Sequence, residues 1–155
     1  MKGLAIQARG ITVRFGDIEV LSGIDVDIAK GSIHGLIGEN GAGKSTLGKV
    51  LGGYYQASSG TLAVFGEPAG RWDPPNALAR GVAIMHQELQ LVPHLTVAQN
   101  VFMGIENNRW GVLQRNEATR LQEVMNASCL HLNANALAVD LPIADQQKIE
   151  ILRAL

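Results

Sequence analysis

The chain carries one cysteine, Cys129, in 155 residues. No internal disulfide is possible, and that usage fits a reducing compartment. Cys129 falls on the apolar side of a predicted helix, so it is expected to be a buried small hydrophobe. Net charge is also nearly absent: 13 basic and 14 acidic residues leave −1 with histidine neutral. That balance gives no electrostatic footprint for nucleic acid or for an anionic membrane surface. No run of about 18 apolar residues occurs, so no segment is expected to span a bilayer. The opening Met1-Lys2-Gly3-Leu4 lacks the apolar core of a signal peptide. No internal repeat or low-complexity linker is found, and the length suits one domain with a real core.

Against these absences stands one dense motif. Gly38-Glu39-Asn40-Gly41-Ala42-Gly43-Lys44-Ser45-Thr46 fits G-x-x-x-x-G-K-[ST], with Gly38, Gly43, Lys44 and Ser45 at the fixed positions. Its surroundings fit as well. Ser32–Ile37 reads as a short apolar strand entering the loop, and Lys44–Leu51 as a helix leaving it. The residue types follow from phosphate chemistry. Glycines let successive backbone N–H groups turn inward. The helix N-terminus adds unpaired N–H groups and the positive end of a dipole. Lys44 supplies a compact cation for the β- and γ-phosphates, and the Ser45 hydroxyl is a hard oxygen ligand for Mg²⁺. The alternative is a glycine-rich turn before an ordinary helix; motif and context together favour phosphate binding.

Around this unit the pattern is mixed. Leu4–Phe15 reads as a strand broken near Arg9-Gly10, followed by strands over Ile18–Leu21 and Gly23–Ile28. Gly52-Gly53 ends the helix after the loop. A strand is expected over Thr61–Phe65 and another over Val82–Met85. Pro74-Pro75 is expected to exclude helix before Asn76, with a short helix to Arg80. Thr96 is a candidate N-cap for a helix over Val97–Met103. Asn116 is a candidate cap for a longer one, with Ala118, Leu121, Met125 and Cys129 as its apolar face. Ile149, Leu152 and Leu155 set the phase of a last helix.

With these residues in view, the chain resembles the N-terminal part of an ATP-binding cassette (ABC) ATPase, closest to those of bacterial ribose, galactose and xylose importers. The resemblance rests on the loop, on His86-Gln87-Glu88-Leu89, on Leu95-Thr96-Val97 with Asn100-Val101-Phe102-Met103-Gly104, and on Gln146-Gln147 with Glu150-Ile151. It implies an α/β P-loop fold with an antiparallel β subdomain and a helical subdomain, ending before the Walker B strand. The nucleotide-binding core would span 1–88 and the helical subdomain 89–155. It implies ATP and Mg²⁺ as cofactors, with Phe15 stacking on adenine and Gln87 reaching Mg²⁺; a core phenylalanine and a surface glutamine are the alternatives. His34 and His86 read as strand packing or local hydrogen bonding. The implied partners are permease subunits, an external sugar-binding protein and a second cassette, fused or dimerised, and the implied location of the cassette is the cytoplasmic face of the membrane. Leu89–Gly104 would face the permease.

Two departures from the family pattern bear on activity. The signature region reads Leu141-Pro142-Ile143-Ala144-Asp145, where the family has serine at Pro142 and usually glutamine at Asp145. Proline offers neither hydroxyl nor N–H, and Asp145 is expected to repel a phosphate. In a head-to-tail dimer this region completes the partner's site, so Pro142 would not spoil this chain's own loop. The magnesium aspartate, the water-polarising glutamate and the sensing histidine of the family have no counterpart in these residues. The expectation is therefore weak Mg-ATP binding without turnover by this chain, with hydrolysis coupled to sugar uptake in an intact protein. A binding or regulatory module that holds nucleotide without chemistry is the second reading. A GTPase or kinase is disfavoured, because no N-K-x-D guanine motif is present.

Overall fold

The structure is a computed structural model that describes residues 3–85, 89–105, 108–109, 112–113 and 117–155. The chain divides into two compact units, Met1–Ile84 and Met85–Leu155.

The first unit is built on a four-stranded antiparallel sheet. β1 (Leu4–Phe15) pairs with β2 (Ile18–Ala29) on one side and β3 (Ser59–Val64) on the other, and β3 continues into a short β4 (Glu67–Pro68). The break expected at Arg9-Gly10 is a register shift within one strand. Gly10 has φ +59°, and the pairing slips between Ala8 and Ile11. Such a bulge adds a residue while keeping the ladder. Ala8 and Ile11 can therefore both be buried at a spacing of three. The same device corrects the next expectation. Ile18–Leu21 and Gly23–Ile28 are one strand, because Gly23 at φ +60° absorbs an irregularity where Leu21 and Ile24 face Val13 and Ile11.

Helix α1 (Lys44–Leu51) packs on this sheet: its Leu47, Val50 and Leu51 join Ala8, Ile11, Val13 and Leu21 in one buried cluster. Gly53, at φ +80°, turns the chain out of the helix as expected. Helix α2 (Pro74–Ala79) begins two residues before the predicted limit. Prolines are tolerated there because the first helical N–H groups have no intrahelical partner. Asp73 caps it, its Oδ1 accepting from the Asn76 N–H at 3.0 Å. Trp72 Nε1 donates to the Leu51 carbonyl at 2.9 Å, and Arg80 donates to the carbonyls of Val64, Glu67 and Pro68.

Two expected strands do not form. Among the described residues Ser32–Ile37 and Val82–Met85 have no ladder partner, and Ile33 and Ile37 are fully exposed. Their apolar runs carry the preference of a strand covered on both faces. A strand also needs a neighbour, and the order β2-β1-β3-β4 offers neither segment one.

The second unit is helical, with α3 (Val97–Phe102), α4 (Glu117–Ser128) and α5 (Ile143–Ala154), a two-residue ladder β5 (Asn108–Arg109) with β6 (Val112–Leu113), and a single 3₁₀ turn at Ala138–Asp140. α3 starts as predicted. Thr96 Oγ1 accepts from the Gln99 N–H and Gln99 Oε1 accepts from the Thr96 N–H, a reciprocal capping box. Val97, Val101, Phe102, Leu121, Met125, Ile149 and Leu152 form the core. Asn100 is buried among them. Its side chain accepts from the Val92 N–H and donates to the carbonyls of Val92, Leu95 and Thr96, which fixes the preceding loop.

The predicted α4 face needs correction. Leu121 and Met125 are buried, but Ala118 and Cys129 are exposed. The helix ends at Ser128, and Cys129 lies beyond it at φ +56°, so helical spacing no longer directs its side chain. Leu155, past the end of α5, is likewise exposed, and Asn116 lies outside the described residues. Among the described residues no helix is long and apolar enough to cross a membrane.

Candidate functional site

The loop Gly38–Gly43 is exposed up to Ala42 and then dives into α1. Gly41 and Gly43 have φ of +87° and +80°, a left-handed region that disfavours side chains. Gly43 is also fixed by space. A Cβ there would collide with Leu21 Cδ2 and stand 3.2 Å from the Val20 carbonyl oxygen. Strand β2 therefore supports the loop from beneath. Gly38 is different, since a Cβ there would only touch Ala42 Cβ at 3.4 Å. Within the loop the Ala42 N–H donates to the Glu39 carbonyl at 3.2 Å. The Leu47 N–H donates to the Gly43 carbonyl at 2.8 Å, the first bond of the helix.

Lys44 closes this loop. Its ammonium donates to the carbonyls of Gly38 and Glu39, both at 2.7 Å. The cation is thus anchored across the turn that precedes it. No side chain caps the start of α1, and no acidic residue sits in its first turn. The unpaired N–H groups and the dipole there are not offset by an acidic side chain of that turn. Ser45 is exposed and Thr46 half-buried on that turn, while Glu39 and Asn40 face solvent. A lysine and a bare helix N-terminus meeting at an exposed glycine loop have chemistry suited to an anion such as phosphate. Among the described residues no group of three His, Cys, Asp or Glu could hold a metal without other ligands. A divalent ion held here would lean on hydroxyl and phosphate oxygens, a donor set suited to Mg²⁺.

Phe15 ends β1 with its ring half exposed, outside the buried clusters. It packs edge-on against Tyr55, centroids 5.2 Å apart and planes at 77°. Tyr55 was not read from the sequence, although it follows α1 directly. Its ring is approached by the Lys49 ammonium at 5.1 Å, which also donates to the Tyr55 hydroxyl at 3.4 Å. The aromatic pair so lies beside the sheet that carries α1. His34 is exposed in the unpaired segment, so the expected strand packing is not found there. His86, Gln87 and Glu88 lie outside the described residues.

In the second unit, Leu141 to Asp145 form the entry to α5. Pro142 occupies the cap position with no side-chain bond to offer, and its carbonyl accepts from the Asp145 and Gln146 N–H groups at 2.9 and 3.0 Å. Ile143 and Ala144 are exposed, whereas Leu141 packs on the core. Asp145, expected to repel a phosphate, has a cation beside it. Lys148 Nζ stands 2.6 Å from Asp145 Oδ1, so the carboxylate is compensated by a cation one turn on. Gln146 Nε2 donates to the carbonyls of Ala138 and Leu141, holding the turn before Pro142.

On the sheet surface, two carboxylates are held below the usual carboxylate range: Asp27 by the hydrogen bond from Arg9, and Glu19 by hydrogen bonds from Ser22 and then Arg14. Both are exposed.

Known proteins share this arrangement. The ABC transporter family pattern matches residues 21–155. A ribose import ATP-binding protein of Yersinia pestis is 44% identical over 151 residues, covering 97% of this chain and 30% of the relative. An arabinose import ATP-binding protein of Burkholderia lata is 44% identical over 142 residues, covering 91% of this chain and 28% of the relative. Among solved structures, a nucleotide-free ATP-binding cassette from an ABC transporter superposes with TM-score 0.79 at 25% identity, over 98% of this chain and 64% of that one. The chain thus spans under a third of the length of these import proteins. Its loop, sheet and helical unit are those of an ATP-binding cassette, and the chain belongs to the ABC transporter family.

Proposed function

We propose that the chain is the ATP-binding part of a carbohydrate-importer ATPase. The observation that carries this reading is the Lys44 ammonium anchored on Gly38 and Glu39 at the bare N-terminus of α1. Relatives named as ribose and arabinose import proteins support the substrate class, a small monosaccharide.

In this reading Gly38–Thr46 wraps the phosphates with backbone N–H groups, Lys44 meets the β- and γ-phosphates, and Phe15 stacks on adenine. Ser45 and Gln87 are the side chains that would hold Mg²⁺. When bound, the ion offsets charge on the phosphate oxygens. Leu141 to Asp145 would face the nucleotide of a second cassette, with Pro142 withholding the hydroxyl that a serine would supply. The cassette works at the cytoplasmic face of the membrane against permease subunits, with a sugar-binding protein on the external side. The chain by itself binds Mg-ATP weakly and does not turn it over.

Pro142 favours a second reading, a cassette that binds nucleotide and regulates without hydrolysing. Phosphate release by the intact protein with its permease decides between them. Hydrolysis lost by about 100-fold or more in Lys44→Ala supports the importer ATPase. Saturable ATP binding with no phosphate release in the parent protein supports the regulatory module and rejects the first reading.

A further inference from the structure

Glu150 is a buried carboxylate on the inner side of α5, between Ile149 and the core residue Leu152. Only 7% of it is exposed, and among the described residues it makes no ion pair. A carboxylate in such a place is costly unless hydrogen bonds compensate it. Its partner is a backbone group 60 residues away in sequence: Glu150 Oε1 accepts the Gln90 N–H at 3.0 Å. One turn on, the Arg153 guanidinium donates to the Gln90 carbonyl at 3.4 Å. Both peptide groups of Gln90 are therefore gripped by the last turns of α5. At its other end α5 is tied down too, since Gln146 holds the carbonyls of Ala138 and Leu141 beside Pro142. The helix is a strut fastened at both ends.

We infer that Glu150, assisted by Arg153, is a positioning residue that makes the segment at Gln90, three residues after Gln87, and the helix entered at Pro142 move as one element. This rests on the importer reading above, in which both segments attend nucleotide. An apolar residue would fill the Glu150 site at lower desolvation cost. Only a hydrogen-bond acceptor there fixes the exposed Gln90 backbone to α5, because an apolar side chain offers its N–H no partner. A rigid helix with two discrete attachments is the kind of element through which coupling passes.

The test uses the intact ATPase assembled with its permease in lipid vesicles. Sugar imported per ATP hydrolysed, Mg-ATP affinity and hydrogen exchange at Gln90 are measured for the parent, Glu150→Ala, Glu150→Gln and Arg153→Ala. The inference expects Glu150→Ala to lower import per ATP about fivefold while Mg-ATP affinity stays within about twofold of the parent. Exchange at Gln90 rises, and Glu150→Gln, which keeps an acceptor oxygen, restores most of the ratio. Arg153→Ala moves it the same way by less and carries the test if Glu150→Ala does not fold. An unchanged ratio beside faster Gln90 exchange overturns the inference and leaves the importer reading standing. Import, hydrolysis and affinity falling together overturn it as well, since that marks a merely structural residue. A parent protein that hydrolyses no ATP overturns the importer reading and this inference with it.

Discussion

The Leu21 side chain occupies the space that a Cβ at Gly43 would need. The glycine before the lysine is therefore imposed by β2 as much as by any phosphate. Gly43→Ala combines that collision with a φ of +80°. It is expected to cost about 2 kcal/mol of stability, read by chemical denaturation. Adding Leu21→Ala does not restore the parent value. The Val20 carbonyl remains 3.2 Å from the new Cβ and the dihedral is unchanged.

Phe15→Ala separates base stacking from phosphate binding. Affinity for an ATP analogue is expected to fall about tenfold, within the range of one lost aromatic–base stack, while affinity for inorganic triphosphate is unchanged. Equal losses for both ligands would assign the ring to folding, through its edge contact with Tyr55.

Asn100→Ala removes a side chain that bonds Val92 on both its N–H and its carbonyl and reaches the Leu95 and Thr96 carbonyls. Unpaired groups are then left behind near the core, and a loss of about 3 kcal/mol is expected. Thr96→Ala, which removes only half of the capping box, is expected to cost about 1 kcal/mol. Urea unfolding ranks the two.

Acid dependence follows from Asp27 and Glu19. Their folded-state pKa values are lowered, so they favour the folded form above the ordinary carboxylate range, and that contribution is lost as pH falls through the lowered values. Arg9→Met removes the first cause of the Asp27 shift. The parent is expected to be slightly more stable than Arg9→Met at neutral pH and equal to it at the acid end. The gap shrinks with added salt, because the pair is exposed. Melting temperature against pH at two ionic strengths reads it.

The loop and its helix were legible because their signals are local. Glycine dihedrals, the lysine spacing and the cap at Thr96 are all encoded within a few residues. Ser32–Ile37 and Val82–Met85 misled because apolar composition records a preference for being covered, and the covering strand is not local information. Breaks were expected at Arg9-Gly10 and between Leu21 and Gly23 because a bulge and a turn use the same residue. Cys129 was misplaced by extending a helical period one residue past the helix end. Tyr55 and Glu150 were missed as organisers, since their partners lie across the fold: Phe15 is 40 residues from Tyr55 in sequence, and Gln90 is 60 from Glu150. Lys148 pairs with Asp145 three residues along α5, a partner the signature pattern by itself does not point to.

The most direct test of the central claim is a titration of this chain with a fluorescent ATP analogue and Mg²⁺, beside Lys44→Ala. The account predicts saturable binding by the parent that is lost in Lys44→Ala, with both proteins melting cooperatively at similar temperatures. Equal binding by the two, or none by a cooperatively folded parent, would contradict it.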